Sequence, residues 1–167
     1  SLIRPEATGY GTVYFANAML EHAGRDFKGL RVSVSGSGNV AQYAIEKLMQ
    51  LGAKPITCSD SSGTVIDEAG FTPEKLAILM EIKNHYYGRV AEYAERVGAR
   101  FEPNVRPWHV PVDVALPCAT QNELDANDAA TLVRNGVIAV AEGANMPSTI
   151  EAVKIFEHNG VLYAPGK

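Results

Sequence analysis

The sequence predicts an α/β fold: a doubly wound, mostly parallel sheet with helices on both faces. Three observations predict it. Short apolar runs alternate with longer stretches of helical period along the chain. A glycine-rich turn, Gly36-Ser37-Gly38, stands between the first of these runs and the helix that follows. An acidic residue, Asp60, closes the second run.

The elements follow in order. Pro5 to about His22 reads as a helix, with Pro near its start, Gly24 past its end, and Val13, Ala16, Met19 and Leu20 as its buried stripe. Arg31 to Ser35 is the first strand. Asn39 to Gln50 is a helix turning Val40, Ala44, Ile45, Leu48 and Met49 inward, and Lys54 to Ser59 is the second strand. Thr72 caps a long helical stretch that starts at Pro73, runs to Val97 and bends or breaks at Gly88. Strands are expected around Ala99 to Phe101 and at Val112 to Leu116, Val137 to Val140 and Val161 to Tyr163. Helices are expected at Asp125 to Arg134 and Ser148 to His158. No repeat, low-complexity tract or linker interrupts this order, so residues 1–167 read as one domain.

Composition narrows the function classes. A chain of 167 residues buries enough surface to fold without metal or disulfides. Its net charge of -4 has the wrong sign for neutralising many phosphates, so nucleic acid is not an expected partner. No apolar run has the length of a membrane span, and the first residues lack a signal-peptide layout, so a soluble, unprocessed, cytoplasmic protein is expected. Cys58 and Cys118 stand far apart in apolar runs and read as reduced thiols. The four histidines form no metal-ligand spacing, so no metal site is expected.

Gly36-Ser37-Gly38-Asn39-Val40-Ala41 is a G-x-G-x-x-A between strand and helix, the place a Rossmann-like dinucleotide fold requires it. Gly36 permits the tight turn and Gly38 lets a pyrophosphate come close. Ala41 allows helix and strand to pack, and the helix N-terminus attracts the anion. Asn39 sits at the helix start, able to donate to phosphate or ribose. Asp60 lies about two dozen positions past Gly36, where an acidic residue grips the adenosine ribose. Such an Asp favours NAD over NADP, while the hydroxyls of Ser61 and Ser62 are equally suited to a 2'-phosphate. The loop alone leaves both open.

Six runs in order resemble the NADP-dependent, hexameric-type glutamate dehydrogenases. They are Arg4-Pro-Glu-Ala-Thr-Gly-Tyr-Gly11, Ser35-Gly-Ser-Gly-Asn-Val40, Ser59-Asp-Ser-Ser-Gly63, Leu116-Pro-Cys-Ala-Thr-Gln-Asn-Glu-Leu124, Ala141-Glu-Gly-Ala-Asn-Met-Pro147 and Ala164-Pro-Gly-Lys167. The resemblance implies reversible oxidative deamination of L-glutamate to 2-oxoglutarate and ammonium with NADP(H), NAD being the weaker alternative. It implies that Thr8 lies near the nicotinamide and Asn39 near the pyrophosphate. Ala119, Thr120 and Asn122 would line the nicotinamide ribose, and Asn145 would hold the nicotinamide end. It also implies that Lys83 and Arg89 take the 2'-phosphate, with Tyr86 at a position that is often basic.

The same resemblance implies what the chain does not carry. The substrate-binding and catalytic residues belong to a domain that would precede Ser1, and a further segment would follow Lys167. No catalytic residue is therefore expected here, and the chain reads as a cofactor domain that binds NADP(H) without turnover. The resemblance implies a homo-oligomer assembled mainly through that other domain, leaving this piece free to be monomeric. A nucleotide-sensing regulatory module and an NAD-linked amino acid dehydrogenase are the alternatives. A hydrolase is not supported, since no G-x-S-x-G elbow is present.

Overall fold

The computed structural model describes residues 5–166. Arg4, at the head of the first run, and Lys167, at the end of the last, lie outside the described residues. The first helix, α1 (Pro5–His22), buries Val13, Ala16 and Leu20 completely and Met19 in part, as its period predicts. Strand β1 (Arg31–Val34) leads into α2 (Asn39–Gln50). The two helices meet closely at Gly9, where a Cβ would lie 2.6 Å from the Val40 carbonyl. Only glycine allows that approach, and it seats α1 beside the glycine turn.

The expected second strand divides. Lys54–Pro55 (β2) pairs in parallel with β1, Arg31 opposite Lys54 and Val32 opposite Pro55. Past Ile56 the chain turns out of that sheet as β3 (Thr57–Asp60), which pairs antiparallel with β4 (Gly63–Ile66) and, through it, with β5 (Arg100–Pro103). Proline lacks an N–H, which confines β2 to the edge of the sheet. Beyond it a side chain replaces the main-chain ladder: the Thr57 hydroxyl accepts from the Val34 N–H at 2.8 Å and donates to the Val34 carbonyl at 2.9 Å. Strand β4 is unforeseen, since no element is expected at 63–66. The strand expected at 99–101 belongs to this small sheet and not to the parallel one.

The long stretch after Thr72 also divides. Helix α3 (Pro73–Met80) opens with the Thr72 hydroxyl accepting from the Lys75 N–H, as a cap should. A π-helical turn follows at Glu81–His85 and the chain breaks around Gly88, with Tyr87 at φ 54°. Helix α4 (Val90–Val97) then ends on Gly98 in the left-handed conformation.

A 3-10 turn, Pro107–His109, precedes β6 (Val114–Leu116). Helix α5 (Ala126–Arg134) carries a capping box made by Asp125 and Asp128. Strand β7 (Ala139–Ala141), helix α6 (Ile150–His158) and strand β8 (Leu162–Ala164) complete the chain. The main sheet is five-stranded, parallel throughout, in the order β2-β1-β6-β7-β8. Two apolar cores pack it. One, containing Leu20, Ile45, Leu48, Leu79 and Tyr93, lies under α1, α2, α3 and α4; the other, with Trp108, Leu132 and Phe156, lies under α5 and α6.

The Thr57 bridge gives a direct test. Thr57→Val keeps the shape but leaves the buried Val34 N–H and carbonyl without that partner, at a cost of about 1–3 kcal/mol. The expected result is a lower urea midpoint with an unchanged slope. An unchanged midpoint would show that the bridge does not hold the two sheets together.

Candidate functional site

The sheet itself places the site. From β1 the chain crosses through α2 to β2 on one side, and from β6 it crosses through α5 to β7 on the other. A crevice opens where neighbouring strands part in this way, beyond their carboxyl ends. Here it is a cleft of about 1220 Å³. At its floor Gly36, with φ 86°, would place a Cβ 3.0 Å from the Cys118 carbonyl, so the first glycine is required by the protein's own backbone.

Gly38 differs. A Cβ there would meet nothing within 4 Å, yet the residue lines the cleft. It precedes α2 in extended conformation, and no side chain caps the first-turn N–H groups of that helix. A twelve-residue helix with uncapped N–H groups at an open cleft is suited to an anion that approaches the backbone closely. Below the turn, the buried Gln42 side chain donates to the Ser37 carbonyl at 2.8 Å and exchanges two 3.0 Å hydrogen bonds with Asn84. This amide pair ties the glycine turn to the π-helical segment that carries Lys83.

The β3–β4 turn forms one wall. Asp60 does not offer a free carboxylate there. Oδ1 accepts from the Ser62 N–H at 2.8 Å and from the Ser62 hydroxyl; Oδ2 accepts from the Val90 N–H at 2.9 Å and from Lys83 Nζ at 3.2 Å. Burial opposes its ionisation, but these hydrogen bonds prevail and hold the carboxyl below its usual value. Its side chain is only 8% exposed. The Ser61 side chain, by contrast, faces outward and accepts from Arg89 Nη1 at 3.0 Å. The turn therefore presents a hydroxyl and two cationic side chains, with the carboxylate consumed in joining the turn to the start of α4.

The opposite wall comes from the loop after β6, against which the loop after β7 packs. Glu123 is 1% exposed, and its Oε2 accepts from the N–H groups of Ala119 at 2.9 Å and Thr120 at 3.0 Å. Burial raises its pKa, partly offset by hydrogen bonds from the Ser35 hydroxyl and from these N–H groups and by the charge of Arg106. Glu142 acts similarly after β7, accepting from the Gly166 N–H at 3.0 Å and the Ser148 N–H at 3.3 Å. At Gly143 a Cβ would lie 2.7 Å from Cys118 Sγ, so the two loops touch there. Burial pushes the Cys118 thiol well above its ordinary pKa, so it sits as an apolar group.

Of the residues singled out from the sequence, Gly36, Ser37, Gly38, Asn39, Val40, Asp60, Ser61, Lys83, Ala119 and Thr120 line one cleft. Arg89 stands at its edge through Ser61. Asn122, with φ 57°, donates its N–H to the Met146 carbonyl at 3.0 Å, bringing it beside Asn145; both side chains are exposed outside the cleft lining. Thr8 lies on α1, its carbonyl accepting from the Thr12 hydroxyl, which itself lies next to Gly143. Sequence reasoning missed Gln42, Asn84 and Glu123, and also the rim residues Asn104, Val105, Arg106 and His109. Gln42 left a signal: it is a polar residue on the inward face of an amphipathic helix. Among the described residues no group of three metal-ligating side chains comes together, and no helix is long and apolar enough to cross a membrane.

A carboxylate whose folded pKa is lowered stabilises the fold above its unfolded pKa of about 3.9 and loses that contribution as pH falls through the folded value. Asp60→Asn is therefore expected to cost about 1–3 kcal/mol at pH 7, read from urea midpoints, and progressively less as pH falls below about 4. An equal difference at pH 7 and pH 3 would show that the charge on Asp60 contributes nothing.

Comparison with known proteins agrees with this architecture. The family model for Glutamate/Leucine/Phenylalanine/Valine dehydrogenase matches residues 1–167. The NADP-specific glutamate dehydrogenase of Escherichia coli K12 is 66% identical across the whole chain, which spans 37% of that protein's length. The NAD(P)-specific glutamate dehydrogenase of Xylanibacter ruminicola is 58% identical, the chain spanning 38% of its length. Among solved structures, a Plasmodium falciparum glutamate dehydrogenase superposes with a TM-score of 0.94 at 46% identity, over 99% of this chain and 36% of that one. The chain thus spans little more than a third of the length of these relatives, and it belongs to the glutamate/leucine/phenylalanine/valine dehydrogenase family.

Proposed function

We propose that this chain is the cofactor-binding domain of an NADP-linked glutamate dehydrogenase, which interconverts L-glutamate with 2-oxoglutarate and ammonium. The observation that carries the reading is the state of Asp60. A free carboxylate at the end of this strand would repel a 2'-phosphate. Here both oxygens are committed to Ser62, Val90 and Lys83, whose ion pair offsets the carboxylate's charge, while the Ser61 hydroxyl and the Arg89 guanidinium stand beside that pair at the same turn. Arginine suits a phosphate because its donors meet two oxygens at once. The names of the E. coli relative and its like support the same cofactor.

In this reading the uncapped N–H groups of α2 and the open space at Gly38 receive the pyrophosphate, with Ser37, Asn39 and Val40 around it. Ala119 and Thr120 face the nicotinamide ribose, and Thr8, Asn122 and Asn145 lie toward the nicotinamide end. The cofactor supplies the hydride acceptor and donor. The chain's own residues bind it, orient it and shape one side of the cleft; the groups that bind glutamate and move its protons are proposed to lie in the remaining length that the relatives possess, so this chain alone binds cofactor without turning substrate over. The whole protein is proposed to be a cytoplasmic homohexamer, a location with which two buried free thiols are compatible.

Titration with NADPH and, separately, NADH tests the proposal. NADPH is expected to bind at least tenfold more tightly, a difference of about 1.4 kcal/mol, and Lys83→Ala with Arg89→Ala is expected to abolish that advantage while leaving NADH binding unchanged. Equal or tighter binding of NADH by the unaltered chain would assign it to an NAD-linked enzyme.

A further inference from the structure

We propose that Glu123 is a positioning residue for the cofactor, its buried carboxylate fixing the Ala119–Thr120 turn against the end of β1 so that the nicotinamide half meets a preset wall. The proposal rests on the dinucleotide reading above and adds to it a residue that does not itself touch the ligand.

The geometry is that of a rivet. Oε2 holds two consecutive backbone N–H groups, those of Ala119 and Thr120. The Ser35 hydroxyl donates to the same carboxylate, while Ser35 Oγ accepts from the Cys118 N–H at 2.9 Å. The end of β1, immediately before the glycine turn, is thereby joined to the loop after β6. Glu123 is itself held: its own carbonyl accepts from Trp108 Nε1 at 3.1 Å and from Arg106 Nη1 at 2.9 Å. Glu123 belongs to the cleft wall with Ala119 and Thr120 but is 1% exposed where they are open to solvent, so its carboxylate acts on the ligand chiefly through their backbone.

Electrostatics sharpens the argument. A carboxylate buried beneath a cleft built for phosphates disfavours the ligand by simple Coulomb repulsion, and its own burial is costly. What it returns is geometry. With an apolar residue in its place, the N–H groups of Ala119 and Thr120 and the Ser35 hydroxyl would lose their common acceptor. The turn would then be free to repair itself by moving.

The test compares NADPH with adenosine 2',5'-bisphosphate, which carries the phosphate-bearing adenosine but no nicotinamide, on the unaltered chain and on Glu123→Ala and Glu123→Gln. The unaltered chain is expected to bind both, with a change in NADPH emission on binding. Glu123→Ala is expected to lose at least tenfold in NADPH affinity together with that emission change, and less than twofold in bisphosphate affinity. Glu123→Gln, whose carbonyl oxygen can still accept from both N–H groups, is expected to recover most of the loss. Equal losses for both ligands, or no loss for either, would overturn the positioning role, and the Gln variant decides the matter if the Ala variant does not fold: it must keep NADPH within about threefold of the unaltered chain and retain the emission change. Failure of the unaltered chain to bind either ligand would instead overturn the dinucleotide reading, and the inference with it.

Discussion

Backbone N–H groups at the carboxyl edge of a parallel sheet have no neighbouring strand to pair with, and when they are buried each must find an acceptor. In this protein Glu123 and Glu142 supply those acceptors for the loops after β6 and β7, and Asp60 does the same for the β3–β4 turn of the small sheet and the start of α4. Each stands at or beyond the end of a strand, each is largely buried, and each accepts from two main-chain N–H groups. The β3–β4 turn and the loop after β6 are consequently held by carboxylates, while glycine, hydroxyl, amide and cationic groups share the cleft lining with Asp125 and Asp128 of the α5 capping box.

Serine and threonine complete the same scheme at closer range. Ser59 Oγ accepts from the Gly36 N–H, Ser35 Oγ from the Cys118 N–H, and Thr57 bridges both backbone atoms of Val34. These short side chains allow β3 to leave the parallel sheet directly after β2 without orphaning β1. The departure of β3 has a consequence for the site: it creates the β3–β4 turn, whose Ser61 shares the cleft with the glycine turn and meets Arg89, and whose Asp60 meets the start of α4.

Much of the architecture was legible in the sequence because it follows from period and punctuation. The α1 stripe, the α2 inner face, the Thr72 cap, the break at Gly88 and the glycine turn all come from spacing that survives any tertiary context. The division of 54–59 was not legible, because a single apolar run does not show where one ladder ends and another begins. Strand β4 was hidden for a related reason: Gly63-Thr-Val-Ile66 is short and follows a turn-rich run, and its glycine is explained only by the close approach of β5, whose Glu102 carbonyl would lie 2.3 Å from a Cβ. At the site, motif position drew attention to Asp60. It could not reveal that both carboxylate oxygens face inward, since that depends on Val90, thirty residues later in the chain. Glu123 stood inside a recognised run, but its burial beneath the loop is a fact of packing.

One cleft, built by the glycine turn, the β3–β4 turn and the loop after β6, is proposed to receive a phosphate-bearing dinucleotide. The most direct measurement is a map of backbone amide resonances of the isotopically labelled chain as NADP is added. The amides of 36–40, Ser61, Ala119 and Thr120 are expected to shift together with one saturation curve. Shifts confined to the apolar groove between α2 and α3, around Met49, Leu76 and Met80, with the glycine turn unmoved, would contradict it.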